Sequence, residues 1–435
     1  MKSTLRLAQC RLLLPLIVVA GLVASACATD VSVEESEENE LKAGAPFVDS
    51  LDRLPAAYLA DPKAIKFKLS QNYPKTRPTT NPASFPWAKI DFKTDPDAYM
   101  LAVRRYVFAG LGIWKADGST NPAWPNHFND VGAKGWYGVP WLHVGLAPRE
   151  GIHGLTRERD ASKFQLAPTQ TIAVQNWGVG FYNDLDGYTL GRVWTSGAAK
   201  PPVAASNFLY GSVVVKFLFT AATPEQVPWL KNTYSWKGNI NATMARDFAH
   251  VIKDVNLAQV DIAVKDARAG KSQWIFGTYA YDPNVPAGAA QGESAWHRMM
   301  PVGVAWGNDE NVSVASTGPL SETVVAKGCP TMARNTFGVG GRLNGPADNP
   351  ASSCMSCHAT AQFQSNVALP LDGMVAPRGA TAAQVQKWFR TIAGGNEPAK
   401  TAPGAFTAGQ TGLDYSLQQM MALQNFYKTI AVSAP

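Results

Sequence analysis

The sequence predicts an α+β protein, an antiparallel β-sheet core with flanking helices and long loops. Three observations predict it. Segments rich in β-branched and aromatic residues, such as 211–219 (GSVVVKFLF) and 257–266, fill the middle of the chain. Helical periodicity is confined to a few stretches on either side of them. Gly and Pro, 37 and 30 of 435 residues, spread through long stretches with no period. Hydrophobic residues make up 46%, enough for a sizeable core, which excludes wholesale disorder. At roughly 150 residues per domain the length fits two or three domains, or one large β-rich one.

Residues 1–26 read as a secretory signal. Lys2, Arg6 and Arg11 precede the apolar run LLLPLIVVAGLVASA, which is short for a membrane span and is interrupted by Pro15. Without these residues the net charge of 39 − 33 = +6 falls to +3, because they contain no Asp or Glu. The basic balance therefore belongs in part to the signal, and no nucleic-acid partner is expected. The end of the segment, Ala24-Ser25-Ala26-Cys27, resembles a bacterial lipobox, which implies lipidation of Cys27. Ala24 stands where that pattern usually has Leu, and plain A-x-A cleavage is the alternative. Residues 27–45 then form an acidic spacer, with Glu34, Glu35, Glu37, Glu38 and Glu40 repelling one another.

Residues 46–168 form a Trp- and Pro-rich N-terminal region. It holds one predicted helix, from Pro96-Asp97 to about Gly110, with Tyr99, Met100, Val103 and Val107 at helical spacing. Residues 169–310 form the sheet region. TIAVQNWGVGFYND and YTLGRVW read as strands separated by Asp-Leu-Asp-Gly, and 211–219 as another. In 257–266, Gln259, Asp261, Ala263 and Lys265 alternate with Val260, Ile262 and Val264, the pattern of a half-buried strand. A turn at Ala269-Gly270-Lys271-Ser272 leads to its hairpin partner, Trp274–Tyr281. Met300–Trp306 adds a weaker strand. Residues 311–435 form the C-terminal region. Helices are expected from Thr381, as N-cap, to Ile392, and over about 415–430.

The chemistry lies in Cys354-Met355-Ser356-Cys357-His358. This is C-x-x-C-H, the pattern of c-type haem attachment. Two thiols three residues apart on one turn can both form thioethers with a haem, and the next residue then supplies an axial nitrogen. With five Cys and six His in the chain, chance predicts roughly 0.001 matches. A thioredoxin-like pair would need a βαβ setting, but Gly345, Pro346 and Pro350 precede the motif and a short helix, ATAQF, is expected after it. A zinc site would need a second C-x-x-C or paired His. One motif predicts one covalent haem c, held by Cys354, Cys357 and His358, in a segment near the C-terminus.

The sixth ligand decides whether such a site passes electrons or binds small molecules. Met374 and His297 are the candidates, followed by Met299 and Met300; Met420 and Met421 fit core packing. His127, His143, His153 and His250 have no spacing partner. Cys329 is expected to be a buried, inert thiol.

The sequence is identified as that of a c-type cytochrome by this motif. Over about residues 205–365 it also resembles the cytochrome c-prime-beta family and its hydroxylamine-oxidising relatives. GSVVVKF, VDIAVKD and KSQWIFGTYAY follow one another there before a late C-x-x-C-H. About 70 residues between Tyr281 and Cys354, and nearly 80 after His358, depart from that family. The resemblance implies an antiparallel sheet and an open distal face.

The expected function is electron transfer by an exported cytochrome, periplasmic or on the cell surface, lipid-anchored to a bacterial membrane and served by a redox partner protein. The alternatives are an open-site haem enzyme or sensor for nitric oxide, hydroxylamine or peroxide, and a lipoprotein with a structural haem.

Overall fold

The computed structural model describes residues 55–62, 64, 70–115, 119, 121, 135–138, 150–152, 154–194, 200–247, 249–286, 295–316, 318–363, 371–395 and 411–433. All of these belong to one compact unit that begins at Glu40. The signal, Cys10, Cys27 and the acidic spacer lie outside the described residues, as do His127, His143 and His153. No described helix is long and apolar enough to cross a membrane.

The architecture is α+β, built on a ten-stranded sheet whose pairings are all antiparallel. In chain order the elements begin with a short helix α1 (Ala56–Ala60) and the longer α2 (Pro96–Gly110). Short strands β1 (Trp136–Tyr137), β2 (Glu150–Ile152) and β3 (Leu155–Arg157) lead to β4 (Asn176–Asn183), helix α3 (Asp184–Val193) and β5 (Val213–Thr220). Strands β6 (Ser235–Asn241), β7 (His250–Lys265), β8 (Trp274–Tyr281), β9 (Met299–Ala305) and β10 (Thr323–Val325) complete the sheet. After it come α4 (Cys354–His358), β11 (Gln362–Phe363), α5 (Ala382–Val385), β12 (Thr411–Gly412) and α6 (Leu417–Ser433). The sheet runs in the order β10-β9-β8-β7-β5-β4-β3-β2, with β1 on β4 and β6 on β7. The long β7 pairs β6 through its first half and β5 through its second.

Helix α2 starts and stops as its sequence dictates. The Asp95 side chain accepts from the Ala98 N–H at 3.1 Å, and Pro96 occupies the first turn, where it loses no hydrogen bond. Tyr99, Met100, Val103, Val107 and Phe108 bury one stripe against the sheet. At Gly110 the backbone runs against the Trp136 indole, leaving no room for a side chain.

Three local expectations are corrected. YTLGRVW is not a strand. Asn183 accepts from the Asp186 N–H at 3.1 Å and caps α3, so Asp-Leu-Asp-Gly is its first turn, where acidic residues suit the helix dipole. The expected Thr381–Ile392 helix keeps its Thr381 cap but is α-helical only to Val385. A 3-10 turn follows, because the Gln386 side chain binds the 310–314 loop and Trp388 Nε1 donates to the Gly373 carbonyl. ATAQF is not a helix: Gln362 and Phe363 pair with Thr411 and Gly412.

The sheet is also covered on both faces, so β7 is not half-exposed. One face, with Val213, Val215, Phe217, Val260, Ile262 and Tyr279, packs on α2 and the N-terminal aromatics. The other, with Val214, Ala263, Trp274 and Phe276, packs on the C-terminal segments, including α4 and α6. Gln259 and Lys265, polar members of the β7 alternation, are 0% and 2% exposed and point into this second layer. The alternation marks two buried environments.

Candidate functional site

Helix α4 is a single turn that puts its chemistry on one side. Ser353 and Ser356 form a reciprocal cap: the Ser356 N–H donates to Ser353 Oγ at 3.1 Å, and the Ser353 N–H to Ser356 Oγ at 2.8 Å. The Cys354 N–H is held by the Leu343 carbonyl at 3.0 Å. Met355 and Ser356 are buried beneath, each 1% exposed. Cys354, Cys357 and His358 stand at i, i+3 and i+4, share the other side, and all line one cavity of about 460 Å³. That volume falls within the roughly 300–1,000 Å³ of ligand pockets.

The walls are mixed. Val214, Leu218, Ala263, Phe276, Leu417 and Met421 supply apolar surface. Lys216, Asp261, Asp348 and Glu158 supply a charged patch. Gln259 joins two of these carboxylates: its Nε2 donates to Asp261 at 2.8 and 2.9 Å and to Asp348 at 2.8 Å, and Thr278 Oγ1 donates to Asp261 at 2.9 Å. Burial, reinforced by mutual repulsion, raises the Asp261 carboxyl well above the ordinary range. Burial also opposes the charge on Lys216, but Glu158, at 3.8 Å, with Asp261 and Asp348 outweighs it and raises the ammonium.

His358 is set in one tautomer. Its Nδ1 lies 2.9 Å from the Tyr415 carbonyl oxygen, which can only accept. Nδ1 therefore carries the proton and Nε2 keeps its lone pair. Burial pushes the imidazole down to about 4, so the ring is neutral at physiological pH. Phe276 packs on it with ring centres 4.7 Å apart. A neutral imidazole whose second nitrogen is hydrogen-bonded to a carbonyl is the usual form of a metal-ligating histidine.

The thiols argue against thiol–disulfide exchange. Burial raises Cys354 well above the ordinary range and pushes Cys357 up to about 12, whereas exchange sites depress a thiol pKa. The strands around them are antiparallel, not a βαβ unit. Two inert thiols, a neutral histidine and a large, partly apolar cavity fit a planar, covalently held macrocycle.

The sixth-ligand candidates are separated. Met374, from the turn Leu371–Met374, lines the same cavity as His358. His297, Met299 and Met300 do not. His297 stacks on Trp114 with ring centres 4.8 Å apart, and Met299 is fully buried, both in the layer of α2. His250 packs edge-on to Trp177. Cys329 is a free thiol, 6% exposed, pushed up to about 11 by burial.

The sequence reading did not single out Lys216, Asp261, Asp348, Tyr415 or Asp414. The alternation of β7 is the available signal for Asp261, and alternation alone fits a half-buried strand. Comparison with family models, curated proteins and solved structures finds no match for the chain.

Proposed function

We propose that this chain is an exported c-type cytochrome, with one haem attached through Cys354 and Cys357 and His358 as axial ligand, that exchanges single electrons with a redox partner protein. The observation that carries this reading is the state of His358, neutral and hydrogen-bonded at Nδ1, in a cavity that both motif thiols share. Haem in that cavity would supply a one-electron couple. The residues of the chain have definite tasks: Tyr415 orients the imidazole, Phe276 packs its face, and Val214 and Ala263 keep water from the sheet side of the cavity. A lipid on Cys27 would tether the protein to a bacterial membrane, in the periplasm or at the cell surface.

A second reading has a specific observation in its favour. Lys216, Asp261 and Asp348 place proton donors and acceptors in the same cavity, which an electron carrier does not need. They suit an enzyme or sensor with an open iron position for nitric oxide, hydroxylamine or peroxide.

The reduced absorption spectrum with and without carbon monoxide separates the two. The electron carrier gives a sharp low-spin spectrum indifferent to carbon monoxide; rapid binding favours the open site. The His358→Ala protein should lose the native spectrum, and an unchanged spectrum would remove the haem assignment.

A further inference from the structure

We propose that the buried Lys265–Asp414 ion pair is a positioning device for the axial histidine, acting through the Tyr415 carbonyl. The inference rests on the haem reading and deepens it: it names the residues that set the strength of the bond from His358.

The acceptor for His358 sits on an unusual backbone. Asp414 and Tyr415 are consecutive non-glycine residues with positive φ, 49° and 67°. Such a conformation persists only where the surroundings over-determine it. Here they do. Lys265 Nζ donates to both Asp414 oxygens, at 2.6 and 2.5 Å. Trp274 Nε1 and the Gly395 N–H donate to Oδ1 at 2.8 and 2.7 Å, and the Phe208 N–H donates to Oδ2 at 2.9 Å. Four segments distant in sequence thus converge on one carboxylate, and both charged side chains are at most 1% exposed.

Tyr415 is pinned from its other end. Its hydroxyl donates to the Ile392 carbonyl at 2.7 Å and accepts from the Ile392 N–H at 3.0 Å. Backbone and ring are therefore both fixed, and the carbonyl between them has one direction available. A buried ion pair is a poor source of net stability compared with apolar packing, so a role in fixing geometry accounts better for its presence. A firmly held carbonyl draws the Nδ1 proton, makes Nε2 the stronger donor and favours the oxidised iron.

The test compares the holoprotein with Lys265→Met/Asp414→Asn, which removes both charges together so that neither is left buried alone. Asn tolerates positive φ, so the backbone is not excluded. The expected result is a higher reduction potential and, as the Nδ1–H···O=C bond weakens, an upfield shift of the His358 Nδ1 proton resonance in the reduced protein. Tyr415→Phe, which keeps the ion pair and loses only the hydroxyl bonds, should shift both in the same direction by less, and it serves as the test if the double variant does not fold. A merely structural role would lower the unfolding midpoint and leave potential and proton resonance unchanged, and that outcome overturns the proposal. A wild-type protein with no haem-stained band on a denaturing gel overturns the haem reading itself; a stained but unshifted variant overturns only the positioning role.

Discussion

Gly345 approaches the side-chain amide of Gln259 so closely that a Cβ at Gly345 would fall on it. The Gly345 N–H also donates to Asp348 Oδ2 at 2.9 Å, and Gln259 Oε1 accepts from the Ala347 N–H at 2.9 Å. The loop before the motif helix is thus clamped to the middle of β7. Gly345→Ala would push Gln259 off Asp261 and Asp348. Overpacking costs about 1–3 kcal/mol, and the buried hydrogen bonds put at risk are worth about as much. Urea unfolding should show a loss of at least about 1 kcal/mol. Wild-type stability would mean that the amide is not held where it is described.

Asp186 gives a prediction of the opposite sign. It is fully buried on α3, and neither of its oxygens has a hydrogen-bond partner among the described residues. Burial, then the nearby Asp414, raises its carboxyl well above the ordinary range. The sign follows from proton counting. Above the unfolded value near 4 the unfolded chain releases this proton and the native chain keeps it, so stability falls as pH rises towards the raised native value. Asp186→Asn should therefore be more stable than the wild type at pH 7, with the difference shrinking towards pH 4. A variant less stable at pH 7 than at pH 4, relative to wild type, would show that Asp186 is charged and paired in the fold.

Much of this architecture is legible in the sequence because local signals and tertiary packing agree. Helix α2 has its cap, its apolar stripe and its stop in the chain itself, and the β7–β8 hairpin has its alternation and its turn. The failures share a cause. YTLGRVW has strand-like composition, but the Asn183 side chain, which also accepts from the Val213 N–H at 3.0 Å, caps a helix there whose Leu185, Leu190 and Val193 are buried. Asp261 and Lys265 look solvated because a single strand does not reveal that a second layer, contributed some 150 residues later by Asp414 and its neighbours, will cover its polar face. The motif was legible as chemistry. The carbonyl that sets its histidine was not, since a backbone atom leaves no trace in residue identity.

Cysteine counting tests the anchor and the haem together. Signal cleavage would remove Cys10, lipid would occupy Cys27, and thioethers would consume Cys354 and Cys357. Cys329 is buried and free. Thiol titration of the mature, denatured holoprotein should then find one free cysteine. Two would mean that either the lipid or one thioether is missing, which Cys27→Ser separates, and three or more that the haem is not attached through both motif thiols. Cys27→Ser should in addition leave the membrane fraction.

The last prediction concerns acid. Expressed in the cytoplasm without its first 26 residues, the chain would receive no covalent haem if those residues are its export signal, and His358 would be free to titrate. Its native value, about 4, lies below the ordinary value of 6.5, because burial disfavours the imidazolium. Between those values the unfolded chain takes up a proton that the native chain refuses, so stability is full above about pH 6.5 and falls as pH drops towards 4. The slope from this one group reaches at most about 1.4 kcal/mol per pH unit. His358→Asn should remove that slope from the haem-free protein. In the haem-bearing protein the thioethers would keep iron beside His358 even in the unfolded chain, so Nε2 would be committed in both states and the same slope should be missing there without any mutation. Equal slopes in the two forms would show that Nε2 is free in both, and the axial role of His358 would be lost.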